Sequence, residues 1–338
     1  MIHVTLPEER QHRLPFYLAM EEYLAEHCGE DLLFLWQVEP TVIFGRNQVL
    51  QAEVNVAYCE AHHIQYYRRK SGGGCVYADK GNVMVSYITP KTTADAAFAE
   101  FLNKMAEALR ALGLPAVRTE HNDILIDGRK VSGNAFTLLP KGSIVHGTMM
   151  YDVDYEALVA AITPSRGKIG SKGVSSVRSH VTNLKEELEA IGKPVGLEAF
   201  KRHLINFFCA DAAGNLDEAV LSDADMTEID RIERTYLDPA FLEGKHHSYS
   251  VSFGGRVEGA GEVRVVIGLE SEIIGSVRLE GDFFQTRENV AEELEAAVKG
   301  LPLEKDAVGP KLKNLNLNII GLAGEDLLRI MFPEEQNK

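Results

Sequence analysis

Arg68-Arg69-Lys70-Ser71-Gly72-Gly73-Gly74-Cys75-Val76-Tyr77 carries three basic side chains into three consecutive glycines and then into a β-prone run. A glycine held in a fixed conformation costs about 0.5–1 kcal/mol relative to alanine. Three in a row cost on the order of 2–3 kcal/mol, against the ~5–15 kcal/mol that keeps a domain folded. Such a run persists where the backbone must turn sharply or approach something closely. Backbone N–H groups beside arginines form an anion cradle, and phosphate is the anion that suits it best.

Composition bounds the rest. The chain has 338 residues, 45% hydrophobic and 25% charged, the profile of a globular protein with one large domain and a smaller one. No apolar run approaches the ~18 residues of a membrane span, and the N-terminal residues have neither a basic start nor an apolar core, so no secretory signal is expected. Four cysteines (Cys28, Cys59, Cys75, Cys209) lie far apart without a CxxC pair, which suits a reducing cytoplasm rather than a zinc site or a disulfide framework. A net charge of −15 argues against nucleic acid as a partner. Local basic patches still allow an anionic small molecule. One is Arg68-Arg69-Lys70; the other runs from Arg166 through Lys168, Lys172 and Arg178 to Lys185 without an acidic residue.

Around the glycine run, the pattern predicts a helix from Pro15 to about Gly29, with Phe16, Met20, Tyr23 and Leu24 at helical spacing. Leu32 to Val38 and Thr41 to Phe44 are predicted as a hairpin split by Glu39-Pro40. Residues 53–63 read as a helix and 64–67 as a strand. Cys75 to Ala78 and Val83 to Thr89 are predicted to pair around Asp79-Lys80-Gly81-Asn82. Ala94 to Leu112 is a strongly amphipathic helix. Strand-like runs at 117–118, 124–126, 130–138 and 143–153 are joined by short turns, which favours antiparallel pairing. A helix at 155–162, a Gly, Ser and Lys-rich loop at 164–183, and helices near 196–209 and 222–236 follow. Composition changes near Gly244. Strands at 249–253, 262–269, 272–280 and 283–284, with helices at 290–298 and 324–331, make residues 245–338 a small separate α+β domain.

Chemistry-bearing residues cluster in a few segments. In His121-Asn122-Asp123-Ile124-Leu125-Ile126-Asp127-Gly128-Arg129-Lys130-Val131-Ser132-Gly133-Asn134, a tight Asp-Gly turn returns the chain so that Asp123 and Lys130 come close at the end of a sheet. Taken alone, a solvated lysine on a hairpin end is the commoner situation. His146-Gly147-Thr148 offers a lone strand histidine, usually a structural one. The 164–183 loop is either a surface turn or a cationic lid. Gly45-Arg46-Asn47-Gln48 is equally an anion or amide site or a polar turn. Walker, GxGxxG and GxSxG patterns are absent.

Together these segments resemble the lipoate-protein ligases of the biotin/lipoate ligase superfamily. The resemblance is carried, in order, by Gly45-Arg46-Asn47-Gln48, Arg69, Ser71-Gly72-Gly73-Gly74, Val76-Tyr77, Asp79, Gly81-Asn82, Asn122-Asp123, Lys130-Val131-Ser132-Gly133, His146-Gly147-Thr148, Lys172-Gly173, Ser176-Val177-Arg178 and Val181-Thr182-Asn183-Leu184. It covers most of residues 15–185, and no one of these motifs would be specific alone. It implies an α+β protein: a large catalytic domain over 1–244, built on a mostly antiparallel mixed sheet with helices, and a C-terminal accessory domain over 245–338 as in the longer ligases. It implies an enzyme that activates lipoate with ATP and Mg²⁺ to lipoyl-adenylate and passes the lipoyl group to a lysine of a lipoyl domain. The acceptors implied are those of 2-oxoacid dehydrogenase E2 subunits or the glycine cleavage H protein, in the cytoplasm, with neither nucleic acid nor membrane involved.

By the same resemblance Lys130 is the catalytic residue. Arg69, Gly72, Gly73, Gly74, Cys75, Val76, Tyr77, Asn122, Asp123, His146, Lys172 and Arg178 bind the substrates. Lys130 and Arg69 would offset charge gathering on carboxylate and α-phosphate, while Asp123 either orients Lys130 or holds Mg²⁺; the metal ligands are not assigned. Two positions depart from the family pattern: Ala78 stands where histidine is usual, and His121 precedes Asn122. Rival readings are an ATP-independent octanoyl or lipoyl transferase on the same fold, or a non-catalytic lipoyl-domain binder. The cysteine-nucleophile branch of the transferases is disfavoured because no cysteine lies between residues 76 and 208. A biotin ligase is disfavoured because its Gly-Arg-Gly-Arg signature is missing.

Overall fold

The computed structural model describes residues 1–8, 10–91, 94–120, 122–162, 179–244, 251–270 and 272–333. The chain divides into two compact units. The first spans Met1–Phe44, Leu50–Arg69 and Cys75–Leu242; the second joins Gly45–Val49, Lys70–Gly74 and Glu243–Lys338.

The first unit is built on strands β1 (Ile2–Thr5), β2 (Leu32–Trp36), β3 (Thr41–Phe44), β4 (Gln65–Arg68), β5 (Val76–Ala78), β6 (Asn82–Thr89), β7 (Ala116–Arg118), β8 (Asp123–Ile126), β9 (Arg129–Leu138), β10 (Ser143–Met150) and β11 (Glu218–Val220). Eight form a mixed sheet in the order β11-β1-β2-β6-β10-β9-β8-β7, and three form a small sheet in the order β4-β3-β5. In the large sheet β1 runs parallel to β2 and β11, and the remaining pairs are antiparallel.

Helices cover both faces of the large sheet. Helix Leu14–His27, with Pro15 in its first turn, places Phe16, Met20 and Leu24 in one apolar cluster with Phe34, Met84, Ile88 and Ile144. Successive strand residues point to opposite faces. Tyr87 therefore faces the other way, where its ring lies 5.9 Å from Phe101 of helix Ala94–Ala111. Phe101 in turn sits 6.1 Å from Phe208 of helix Leu197–Cys209.

The two expected pairings next to the glycine run do not form. β2 and β3 are not a hairpin: β2 pairs with β1 and β6, while β3 pairs with β4 and β5. β5 likewise pairs with β3 and not with β6. The reason lies in burial. All four residues of β3 and all eight of β6 are buried. Strands covered on both faces sit centrally in a sheet and need a neighbour on each side. The Glu39-Pro40 and Asp79–Gly81 segments carry the chain from one sheet to the other. Helix Leu184–Ala190 and strands β1 and β11 were not foreseen.

The second unit carries an antiparallel sheet of β12 (Val251–Val257), β13 (Gly261–Glu270) and β14 (Ile273–Gly281). Helices Val290–Val298, Lys305–Lys313 and Gly324–Met331 pack Leu294, Leu312 and Leu328 onto its Val263, Val265, Ile267 and Leu279. Phe283 and Phe284, expected as a strand, lie outside the sheet. Helix Lys305–Lys313 was hidden by its internal Gly309-Pro310, since proline removes a donor and is a helix breaker in most contexts. The fold class is α+β, and among the described residues no helix is long and apolar enough to cross a membrane.

Candidate active site

Lys130 reaches its position through an irregularity in the sheet. Asp127 and Gly128 both adopt positive φ, 47° and 77°, the conformation of a two-residue hairpin turn. From this turn Ile126 pairs with Arg129 and Leu125 with Lys130, but Ile124 then pairs with Ser132 and Asp123 with Gly133. Val131 is therefore an extra residue on β9, a β-bulge. In a regular strand Lys130 and Gly133 would face opposite sides of the sheet; the extra residue puts them on the same side. Lys130 Nζ consequently lies 2.8 Å from Asp123 Oδ1. A Cβ at Gly133 would stand 2.8 Å from both Cε and Nζ of Lys130, so glycine is what leaves the lysine its path.

The Lys130–Asp123 contact is an ion pair outside hydrogen-bond alignment. Asp123 Oδ1 is buried and has no hydrogen-bond partner. The two side chains are 34% and 27% exposed, a setting in which an ion pair contributes at most about 1 kcal/mol to stability. Its effect is to aim an ammonium group, not to hold the fold.

A knot of amides fixes the strand beneath. Asn122 Nδ2 donates to Asn134 O at 2.8 Å, and Asn134 Nδ2 donates back to Asn122 O at 2.8 Å. Gly133 N donates to Thr148 Oγ1 at 3.2 Å. A side chain at Gly147 would overlap the Asn134 amide. The Asn122-Asp123, Ser132-Gly133 and Gly147-Thr148 segments thus meet in one place, and Asn122 spends its amide on backbone.

On the face covered by helix Leu14–His27 lies a buried polar chain that the sequence reading missed. Trp36 Nε1 donates to Ser86 Oγ at 2.8 Å, and Ser86 Oγ donates to Glu21 Oε1 at 2.5 Å. Glu21 Oε2 lies 2.8 Å from His146 Nδ1. Glu21 is 2% exposed. Burying a carboxylate costs several kcal/mol unless partners satisfy it, and here two do. The available signal was an acidic residue in the apolar stripe between Tyr17 and Leu24. Tyr17 stacks on Trp36, with centroids 4.6 Å apart.

The two arginines of the basic run part ways. Arg68 lies over the Phe44 ring at 4.6 Å and donates to Phe241 O at 2.8 Å and Leu242 O at 3.0 Å. Arg69 is 4% exposed and donates through Nη1 to Ile43 O at 3.2 Å. Burial draws its pKa down to about 10, while neighbouring Cys75 pulls the other way. Val76 and Tyr77 pair with Ile43 and Val42, and Cys75 is half-buried against the apolar cluster around Phe44. Burial, and then Asp79, push the Tyr77 hydroxyl pKa up. Ala78 is fully buried in the cluster that holds Tyr17, Trp36 and Met84.

Within the second unit, Gly73 has φ 87° and donates to Phe283 O at 3.3 Å. A Cβ at Gly72 would run into that same carbonyl, whereas one at Gly74 would meet open space. Gly45-Arg46-Asn47-Gln48 is a turn committed to the protein: Asn47 Nδ2 donates to Gln285 Oε1 at 3.1 Å, Asn47 O accepts from Gly281 N at 3.0 Å, and Gln48 Oε1 accepts from Gly45 N at 2.7 Å. His121, Lys172 and Arg178, with most of the 164–183 loop, lie outside the described residues. Among the described residues no group of three or more His, Cys, Asp or Glu side chains could hold a metal ion.

A lysine aimed by a carboxylate at a sheet end, with a buried arginine in the same unit, is equipment for handling anionic substrates. The chain belongs to the lipoate-protein ligase family. Residues 14–209 match the lipoyl protein ligase A/B catalytic domain, and residues 246–331 match the bacterial lipoate protein ligase C-terminus. It is 33% identical to lipoate–protein ligase 2 of Staphylococcus aureus over 89% of each chain. It is 32% identical to the lipoate-protein ligase LplJ of Bacillus subtilis, over 93% of this chain and 96% of that one. In fold it is similar to P. falciparum LipL1 solved in complex with lipoate, with a TM-score of 0.75, 19% identity and 97% and 96% of the two chains covered. A lipoate-protein ligase A solved with ATP bound gives a TM-score of 0.60 at 22% identity, covering 71% of this chain and 97% of that one.

Proposed function

We propose that this protein is an ATP-dependent lipoate-protein ligase: it joins lipoate to ATP as lipoyl-adenylate, releasing pyrophosphate, and transfers the lipoyl group to a lysine of a lipoyl domain. The observation that carries the reading is Lys130, turned by the Val131 bulge over Gly133 and against Asp123, in a chain whose relatives are lipoate-protein ligases.

Adenylation brings a carboxylate and a triphosphate together, and two anions approach only where cations offset them. Lys130 takes that place between carboxylate and α-phosphate. Arg69, whose burial makes its charge expensive, gains from a bound anion. Backbone groups of Cys75, Val76 and Tyr77 hold the nucleotide, and Asn122 and His146 belong to the walls of the site. Lys172 and Arg178, outside the described residues, add positive charge for the same anionic substrates. Apolar side chains of the sheet receive the acyl chain.

Asp123 Oδ1 is held by the Lys130 ammonium at 2.8 Å, so Asp123 orients the lysine, and no ligand set for Mg²⁺ is assigned among the described residues. When bound with the nucleotide, Mg²⁺ supplies charge neutralisation on the phosphates. Residues 1–244 act as the catalytic domain and 245–338 as the accessory domain. The acceptors are lipoyl domains of 2-oxoacid dehydrogenase E2 subunits or the glycine cleavage H protein, and the four free cysteines suit a cytoplasmic setting.

The test is to incubate the protein with lipoate, ATP, Mg²⁺ and an apo lipoyl domain and weigh the acceptor. One lipoyl group gained only when ATP is present is the expected result. Modification without ATP, from an acyl-carrier donor, would replace this reading with a transferase.

A further inference from the structure

The antiparallel pairing of β10 with β9 ends at Gly147 and Asn134. From Gly133 back to Lys130 β9 has no backbone pairing with β10. The chain returns there much later: Val181 forms a parallel bridge with Lys130. Lys130 N donates to His180 O at 2.7 Å, and Thr182 N donates to Lys130 O at 2.9 Å. The lysine's own peptide groups are thus gripped by residues 180–182.

What holds those residues is Glu187. Its Oε1 accepts from Thr182 Oγ1 at 2.6 Å and also from Arg129 Nη2. Arg129 is the residue immediately before Lys130, so the ring closes: Lys130 backbone to Thr182, Thr182 hydroxyl to Glu187, Glu187 to Arg129, and Arg129 along the chain to Lys130. Thr182 is fully buried and Glu187 nearly so. On the far side Asn183 brackets Val153, accepting from its N–H at 3.0 Å and donating to its carbonyl at 3.0 Å. Glu187 also lies in the first turn of helix Leu184–Ala190, where a negative charge is favoured.

A buried carboxylate joined both to the residue before the lysine and to the residue hydrogen-bonded to its carbonyl is more than the sheet requires. We propose that Glu187 is a positioning residue for Lys130, acting through Thr182 and Arg129 to hold the bulge that aims the ammonium group at Asp123. The inference rests on the reading of Lys130 as the group that acts on the substrates.

Two measurements on the full chain test it. The first is steady-state lipoate-dependent ATP–pyrophosphate exchange by Glu187→Ala, Glu187→Gln and Thr182→Val. Small misplacement of a reacting group costs about tenfold to a hundredfold in rate, so kcat should fall on that scale in Glu187→Ala with KM for ATP changed less than about twofold. Glu187→Gln keeps an acceptor for the Thr182 hydroxyl and should recover most of the rate. The second is labelling of the unliganded protein with an amine-reactive reagent, read by mass spectrometry as the ratio of Lys130 to exposed Lys141. Released from Asp123, Lys130 should label several-fold faster in Glu187→Ala and in Thr182→Val, the milder change that keeps the fold if Glu187→Ala does not. An unaltered labelling ratio in both variants, or full kcat in a Glu187→Ala protein that merely melts earlier, overturns the proposal. Wild-type protein without lipoate-dependent exchange would instead remove the ligase reading, and the labelling ratio would still decide whether Glu187 positions Lys130.

Discussion

Gly72 and Gly133 stand in two of the motifs that carry the family resemblance, and at each a side chain would meet a close neighbour. The neighbours differ. At Gly72 the neighbour is the backbone carbonyl of Phe283; at Gly133 it is the flexible end of Lys130. A carbonyl in a folded segment cannot step aside, whereas a lysine ammonium can. The first glycine is therefore kept for the protein's own packing, whatever it also offers a ligand. The second is kept for the path of one functional side chain. Two glycines that look alike in sequence answer to packing in one case and, on the role proposed for Lys130, to chemistry in the other.

Substituting each glycine sharpens the contrast. Gly133→Ala should displace Lys130 from Asp123 and lower exchange activity by about a hundredfold, the scale of a roughly 1 Å misplacement, while leaving the melting temperature near that of wild type. Gly72→Ala should instead cost about 1–3 kcal/mol of stability, as overpacking against fixed neighbours does. Denaturant titration would show it as a lower midpoint. If Gly72→Ala melts like wild type and only raises KM for ATP, the glycine is kept for the ligand alone and the contrast collapses.

The smallest effect is one of pH. Tyr23 donates its hydroxyl to Asp225. That bond holds the Asp225 carboxyl below its usual 3.8 and pushes the Tyr23 hydroxyl from 10.0 up to about 12. The Asp225 contribution is present above 3.8 and lost as pH falls through its lowered value. The Tyr23 contribution is present below 10 and lost as pH rises toward 12. Tyr23→Phe should therefore lower stability by less than about 1 kcal/mol, given solvent screening, with the gap to wild type widest between roughly pH 5 and pH 9. A gap constant across that range of pH and beyond would show that the pair does not titrate with folding.

Helical periodicity made Leu14–His27, Ala94–Ala111 and Leu197–Cys209 legible, and short turns disclosed the antiparallel run from β7 to β10. The division into two sheets was not legible, because β3 and β6 are buried on both faces and show no alternation that would assign them a partner. β1 and β11 pair across more than two hundred residues, a contact no local pattern encodes. In the site, the Asp127-Gly128 turn foretold that Asp123 and Lys130 meet. The Val131 bulge that turns the lysine to the right face left no trace in residue types. Glu21 could have been found as a lone acid in an apolar stripe, and Thr182-Asn183 was readable only as part of a motif. The departure at Ala78 falls in closed apolar core, where its methyl group packs with Tyr17 and Trp36.

Lipoate-dependent ATP–pyrophosphate exchange by Lys130→Met bears most directly on the claim that the fold is arranged around this one amine. The variant removes an ion pair of little energetic weight, so it should melt within a few degrees of wild type and lose exchange by about a thousandfold or more. Full exchange by a folded Lys130→Met protein would contradict the assignment and leave the bulge, Gly133 and Asp123 without the role given to them.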